Sequence, residues 1–140
     1  MQDDGFWFKS SKFEIEPGEE KEINPGIYGK QLAVWLADKL RALGYDVELI
    51  NEDWGRCLMC TRQPAWLWVG CANMSLDYPN VPEEPPKKEE IIWHCFVTCE
   101  VPFWKRLFKQ VDLKPMRQTL SDQLLVILQS EPQITLVEEP

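Results

Sequence analysis

The chain has 140 residues, 44% of them apolar and 27% charged, which is the composition of one globular domain rather than a disordered segment. The formal net charge of −8 argues against nucleic-acid binding, since phosphate-backbone binders need clustered lysine and arginine. No apolar run approaches the roughly 20 residues that cross a bilayer, and the acidic start lacks the features of an export signal. With five cysteines and no export signal, the sequence predicts a cytoplasmic protein with reduced thiols.

The first part of the chain is predicted to contribute little regular structure. The aromatic run 6–8 lies in an acidic tail and is expected to pack on the edge of the domain. Residues 13–16 alternate between apolar and polar, which predicts a short strand ended by a Pro-Gly pair. The acidic segment 19–22 is expected to be a solvated loop, because charge runs usually are.

The clearest helix pattern lies between residues 24 and 43. Apolar residues recur there at spacings of three and four, as on one face of a helix: Tyr28, Leu32, Trp35, Leu36, Leu40 and Leu43. Asn24 and Pro25 predict the N-terminus, since asparagine caps a free N–H and proline is tolerated in the first turn. Gly44 predicts the C-terminal end of this helix. The following residues alternate and predict a strand whose Val47 and Leu49 face the helix.

Three further strands are predicted at 56–62, 65–71 and 91–99, and the second of them combines aromatic with β-branched residues. The second and third carry apolar residues on both faces, which is typical of central strands. Residues 75–90 combine prolines with charges and predict a mobile loop, either a plain connection or a binding loop.

The C-terminal part predicts helical structure followed by an edge strand. A short basic helical segment is expected over 103–111, and a longer helix from Lys114 to Ser130. Residues 133–137 predict the last strand. Together these elements predict a single α+β domain over residues 1–140, with a mainly antiparallel sheet of five or six strands and two principal helices packed on it.

Uncommon residues recur at fixed intervals in the first half of the chain. The motifs are Glu16-Pro17-Gly18-Glu19, Asn24-Pro25-Gly26-x-Tyr28-Gly29, Leu32-Ala33, Trp35-Leu36, Gly44-Tyr45 and Glu52-Asp53-Trp54-Gly55. This pattern resembles a group of small uncharacterised bacterial proteins. The resemblance implies a bacterial source and brings no activity, because no catalytic or binding residues are established for that group.

The cysteines include one motif with metal-ligand spacing. Cys57 and Cys60 form a Cys-x-x-Cys, and Cys71 is a third candidate ligand. Further candidates are His94, Cys95 and Cys99. Zinc needs four converging ligands, whereas residues three apart in a strand point to opposite faces. The favoured interpretation is therefore buried thiols that pack as small apolar residues, with no metal and no other cofactor.

Two groups of residues offer catalytic chemistry. His94 is the only histidine, so any histidine general base must be this residue, paired with a cysteine on another strand. A structural histidine is the favoured interpretation. Glu52 and Asp53 beside Trp54 have the composition of a glycosidase carboxylate pair, although adjacent residues at a strand end usually belong to a turn.

Two features of the sequence favour a surface that binds a partner. Trp66 and Trp68 alternate with aliphatic residues, so both indoles share one face of their strand. They are core residues if the last helix covers that face, and a binding platform if it does not. The segment 103–117, which includes Trp104, has five basic residues against one acidic residue. It is either a solvated helix face or a patch that binds an acidic partner or a membrane surface.

The sequence favours a non-catalytic protein-binding domain, of which a toxin-neutralising immunity protein is one form, and it leans away from an enzyme. The alternative is a small-molecule-binding domain or enzyme with a pocket between the central helix and the sheet. Its lining residues would be Trp54, Trp66, Cys71 and His94. The sequence specifies neither the partner nor the oligomeric state.

Overall fold

The computed structural model describes residues 5–74, 85–101 and 113–140, which contain six strands, two α-helices and the short 3-10 helices Glu19–Lys21 and Lys88–Glu90. The strands are β1 (Gly5–Ser10), β2 (Glu48–Glu52), β3 (Gly55–Thr61), β4 (Trp66–Asn73), β5 (Trp93–Glu100) and β6 (Ile134–Val137). The helices are α1 (Lys30–Ala42) and α2 (Lys114–Ser130). The predicted α+β fold is confirmed, and α2 has the predicted bounds.

The strands form one antiparallel sheet in the order β2-β3-β4-β5-β1-β6. Strands β2 to β5 follow one another as a meander, and β1 lies between β5 and β6. The interior positions of β4 and β5 agree with the apolar runs that predicted central strands. Strand β6 is an edge strand, as predicted.

Both helices pack on the same face of the sheet, which we call the core face. The helices contribute Leu32, Leu36, Leu40, Leu120, Leu124 and Leu128 to the core, and all six are fully buried. The sheet contributes Phe8, Leu58, Leu67, Val69, Trp93, Cys95 and Val97. Each large apolar side chain buried in this way stabilises the fold by about 1.5–3 kcal/mol. The other side of the sheet, which we call the open face, is covered by neither α1 nor α2.

The N-terminal predictions were wrong in two places. The aromatic run 6–8 lies within β1, where it pairs with β5 on one side and β6 on the other, and Phe8 is fully buried. Residues 13–16 form no strand, although Phe13 packs in the core. Residues 5–10 form a strand because they pair with strands more than 80 residues away in the sequence. The alternation of apolar and polar residues within a short segment does not indicate such distant pairing.

Helix α1 begins at Lys30, and its N-cap residue is Gly29 rather than the predicted Asn24. The carbonyl of Asn24 accepts a hydrogen bond from the Ile27 N–H at 3.1 Å, so the Asn-Pro pair opens a turn rather than the helix. The side chain of Asn24 donates to the Asp53 carbonyl at 3.3 Å. The predicted end of the helix is confirmed, since Gly44 takes a positive φ of 102° and its N–H donates to the Arg41 carbonyl.

The side chain of Glu19 caps the N-terminal end of α1 in place of Asn24. Its carboxylate accepts hydrogen bonds from the N–H groups of Gly29 at 2.6 Å, Lys30 at 2.8 Å and Glu16 at 2.8 Å. The residue is only 1% exposed. The segment 19–22 was therefore wrongly predicted to be a solvated loop, because one of its charges is the buried acceptor for the start of α1.

Two predicted features lie partly or wholly outside the described residues. They are the loop 75–90, of which only residues 85–90 are described, and the basic segment 103–111 with Trp104. The described end of the loop contains a short 3-10 turn, Lys88–Glu90. Neither α1 nor α2 has the length and apolar character of a membrane-spanning helix.

Candidate binding face

Aromatic rings dominate the open face of the sheet. Strand alternation places Trp66 and Trp68 there, because the intervening Leu67 and its neighbour Val69 are buried on the core face. The strand register adds residues of the two next strands: Gly70 pairs with Phe96, Ala72 with His94, and His94 with Trp7. We call the set Trp7, Trp54, Trp66, Trp68, His94 and Phe96 the aromatic face. The last helix does not cover Trp66 and Trp68, so these two side chains are not part of the core between the helices and the sheet.

Five of these rings form a continuous series of contacts. Trp7 stacks on His94 with ring centroids 4.1 Å apart and an interplanar angle of 7°. His94 contacts Phe96 at 4.9 Å. Phe96 packs against Trp54 at 5.4 Å and Trp68 at 5.8 Å, and these two indoles stack at 5.7 Å. Aromatic pairs at such distances contribute about 0.5–1.5 kcal/mol each beyond their buried area, so the cluster is also a structural unit.

Gly70 makes room for this cluster. A Cβ atom at this position would lie 2.2 Å from Cζ of Phe96 and 2.6 Å from two other ring atoms. The Phe96 ring therefore rests directly on the backbone of β4, where no larger residue leaves space for it. From there it contacts Trp54, Trp68 and His94.

Exposure on the aromatic face is concentrated at two indoles. Trp66 is 39% exposed and Trp54 is 36% exposed, whereas the other four rings are half-buried. The two exposed indoles flank Trp68, since Trp66 precedes it by two residues on β4 and Trp54 stacks on its ring. Large exposed indoles beside half-buried rings are characteristic of binding surfaces.

Exposed carboxylates border the two indoles. Glu52 ends β2, Asp53 follows it in the turn that leads to Trp54, and Glu100 lies opposite Trp66 in the register of β4 and β5. All three are exposed, and none forms an ion pair within the described residues. The position of Glu52 and Asp53 does not favour a glycosidase role, because two adjacent residues at an exposed strand end do not flank a bound sugar from opposite sides.

The structure separates the predicted metal ligands and catalytic residues. Cys60 and Cys71 lie on the core face, whereas Cys57 and His94 lie on the open face. In the described ranges, no three histidine, cysteine or acidic side chains come together as a metal site. Cys71 is likewise separated by the sheet from Trp66 and His94, so these residues do not line one pocket.

Burial keeps the thiols of Cys57, Cys60, Cys95 and Cys99 protonated. Burial, followed by the nearby Glu52 carboxylate, raises the pKa of Cys57 to about 11, and burial raises the pKa of Cys60 to about 12. Burial also raises the pKa of Cys95 and Cys99. Since the thiolate is the nucleophile and the metal ligand, these thiols are poor candidates for either role at neutral pH.

We expect the folded protein to react slowly with Ellman's reagent at pH 8. Cys99 is half-buried and should react first, whereas Cys57, Cys60, Cys71 and Cys95 are buried and should react only after unfolding. Guanidinium should expose all five thiols, which provides the control. Rapid modification of two or more thiols in the folded state would contradict this description.

The motif residues of the first half of the chain have structural contacts. Arg56 is 3% exposed and donates to Asn51 and Glu22, both at 3.1 Å, and its guanidinium lies 3.8 Å from the Glu19 carboxylate. Asn73 accepts from the Tyr28 N–H and donates to the Gly26 carbonyl, both at 2.9 Å. These contacts attach the loop before α1 to strands β3 and β4. They hold the motif residues Glu19, Gly26 and Tyr28 against the sheet.

Comparison of the chain with protein-family models, with curated proteins and with solved structures gave no match. The candidate site therefore rests on geometry. Sequence analysis named Trp54, Trp66, Trp68 and His94 but missed Trp7 and Phe96. The alternation of His94, Cys95 and Phe96 was the available signal, since it places the two rings on one face of β5.

Proposed function

We propose that this protein is a non-catalytic binding domain whose aromatic face binds a protein partner. The observation that carries the proposal is the pair of exposed indoles, Trp54 and Trp66, on a sheet face that neither helix covers. Tryptophan is enriched among the few residues that supply most of the binding energy at protein interfaces. The half-buried rings of Trp68 and Phe96 contact Trp54 and hold it in place, which reduces the entropy lost on binding.

The geometry gives less support to a small-molecule site between the central helix and the sheet. Small-molecule sites are concave and bury most of the ligand surface. In this protein the interface between α1 and the sheet contains Leu32, Leu36, Leu58 and Val69, all of them fully buried. These side chains fill the region where the alternative placed a pocket.

We further propose a reducing cytoplasm as the site of action. All five cysteines carry free thiols, which fits such a compartment. A toxin-neutralising immunity protein is one concrete form of a cytoplasmic binding domain. The identity of the bound partner would distinguish this form from others.

Replacing both Trp54 and Trp66 with alanine is expected to weaken binding of the partner at least 100-fold, since central interface residues each contribute about 2 kcal/mol or more. The partner is first captured from the source lysate with tagged wild-type protein. Its affinity is then measured with purified components by biolayer interferometry. Trp66→Ala alone should already weaken binding, and it removes no ring contact from the cluster defined above.

The matched control replaces Leu43 and Val126 with alanine. These residues are 49% and 61% exposed. Leu43 directly follows α1 and Val126 lies on α2, so both are on the helix side of the sheet, away from the aromatic face. The control variant should keep wild-type affinity, and circular dichroism should show that all variants are folded. Equal affinity of the tryptophan variant and the wild type, or equal losses in both variants, would contradict the proposal.

A further inference from the structure

We infer that the partner presents arginine side chains to the aromatic face, with one guanidinium at Trp54 and another at Trp66. This inference rests on the proposed function and specifies the chemistry of the partner. It follows from the charges around the two indoles and from the spacing of the rings.

Each exposed indole has nearby in the fold at least one carboxylate that forms no ion pair with another described residue. Glu52 and Asp53 adjoin Trp54, and Glu100 lies across from Trp66 on the neighbouring strand. Directly opposed residues on one sheet face have Cβ atoms about 4.5–5.5 Å apart, so the Glu100 carboxylate is within reach of a group stacked on Trp66. Two separate positions on the face thus combine an aromatic ring with a negative charge.

The positive charges of the face do not cancel these carboxylates. Arg62 is engaged by Glu48, which lies on the same face as Met59 and Trp68. Lys9, two residues after Trp7, is the other basic side chain that the register places on this face among the described residues. With a net charge of −8 for the whole chain, the face attracts a cationic partner and speeds its approach.

Ring spacing favours arginine over a caged ammonium group. Trp54, Trp68 and Phe96 are already in mutual contact, with centroids 5.4–5.8 Å apart, so no cation fits between them. A cation must instead lie on the outer surface of an indole. The planar guanidinium stacks on such a surface and at the same time donates two parallel hydrogen bonds to a carboxylate, which a lysine ammonium cannot do.

The test uses a synthetic ten-residue peptide that alternates arginine with serine. Its binding to the full-length protein is followed by NMR through the indole N–H resonances, which Trp54→Phe and Trp66→Phe variants assign. The arginine peptide should shift both resonances and saturate at millimolar concentration. A peptide with citrulline, the neutral analogue of arginine, should produce no saturable shift, and a lysine peptide should bind several-fold more weakly.

Charge variants of the protein provide the second arm. A triple variant should bind the arginine peptide about tenfold more weakly than the wild type; its substitutions are Glu52→Gln, Asp53→Asn and Glu100→Gln. The matched control, Glu14→Gln, Asp38→Asn and Asp122→Asn, changes the net charge equally at exposed positions on the helix side of the sheet and should leave the affinity unchanged. Equal weakening in both variants, equal binding of the citrulline peptide, or no shift of the two indoles would overturn the inference.

Failure of this inference can be distinguished from failure of the proposed function. If partner capture depends on Trp54 and Trp66 but not on the three carboxylates, the aromatic face binds a partner and the arginine assignment is wrong. If the partner is captured equally well without the two indoles, the proposed function itself is wrong.

Discussion

Replacing Glu19 with alanine is expected to lower the free energy of unfolding by about 3–5 kcal/mol, the usual cost of removing one member of a buried ion pair. The carboxylate is the acceptor for the N–H groups of Gly29, Lys30 and Glu16. Without it, the start of α1 loses its cap, and the buried Arg56 guanidinium loses one of its two carboxylate neighbours. Domains are stable by only about 5–15 kcal/mol, so this variant should be close to unfolding.

Urea denaturation at pH 7 measures this effect, with Glu22→Ala as the matched control. Glu22 also pairs with Arg56, but its side chain is 34% exposed, so its removal should cost much less. Hydrogen bonds from Arg56 and then Lys30 lower the pKa of Glu22. The contribution of the Glu22 carboxylate to the free energy of unfolding is thus present at pH 7. It is lost as the pH falls below the ordinary glutamate pKa of about 4.3. Equal losses in the two variants, or an unchanged midpoint for Glu19→Ala, would show that Glu19 is not the cap described here.

Replacing Gly70 with alanine is expected to destabilise the protein by about 1–3 kcal/mol, the usual cost of an additional methyl group in a packed site. The new Cβ would meet the Phe96 ring at 2.2 Å, so the ring has to leave the sheet surface. Its contacts with Trp54, Trp68 and His94 would then change. Thermal and urea unfolding measure the loss, and tryptophan fluorescence reports the change in the cluster.

A double-mutant cycle with Phe96→Ala isolates the cause of this effect. Without the ring, the methyl group at position 70 meets no obstacle, so Gly70→Ala should cost at least 1 kcal/mol less in the Phe96→Ala background than in the wild type. Additive losses would mean that Gly70 is needed for another reason, such as the backbone flexibility of β4.

Local patterns predicted the elements that depend on neighbouring residues. The bounds of α2 follow from its own apolar stripe and from Pro115 in the first turn, and they were predicted correctly. The shared face of Trp66 and Trp68 follows from alternation within one strand. These features need no information about the rest of the chain.

The errors concern features set by distant residues. The cap of α1 is Glu19, which lies 11 residues before Lys30, so the nearer Asn-Pro pair gave a misleading signal. Strand β1 exists because residues 93–96 and 134–137 pair with it. The same long-range pairing brings Trp7 and Phe96 to the aromatic face. The sequence therefore suggested part of the candidate site, whereas its extent required the sheet register.

Photo-crosslinking from position 66 tests most directly whether the aromatic face binds a partner. Trp66 is replaced by p-benzoylphenylalanine in the source cells, and the same replacement at Val126 on α2 is the control, since both positions are exposed. Irradiation should link a specific protein to position 66 and not to position 126. Crosslinks to the same protein from position 126 alone, or from neither position, would contradict the assignment of the aromatic face as the binding site.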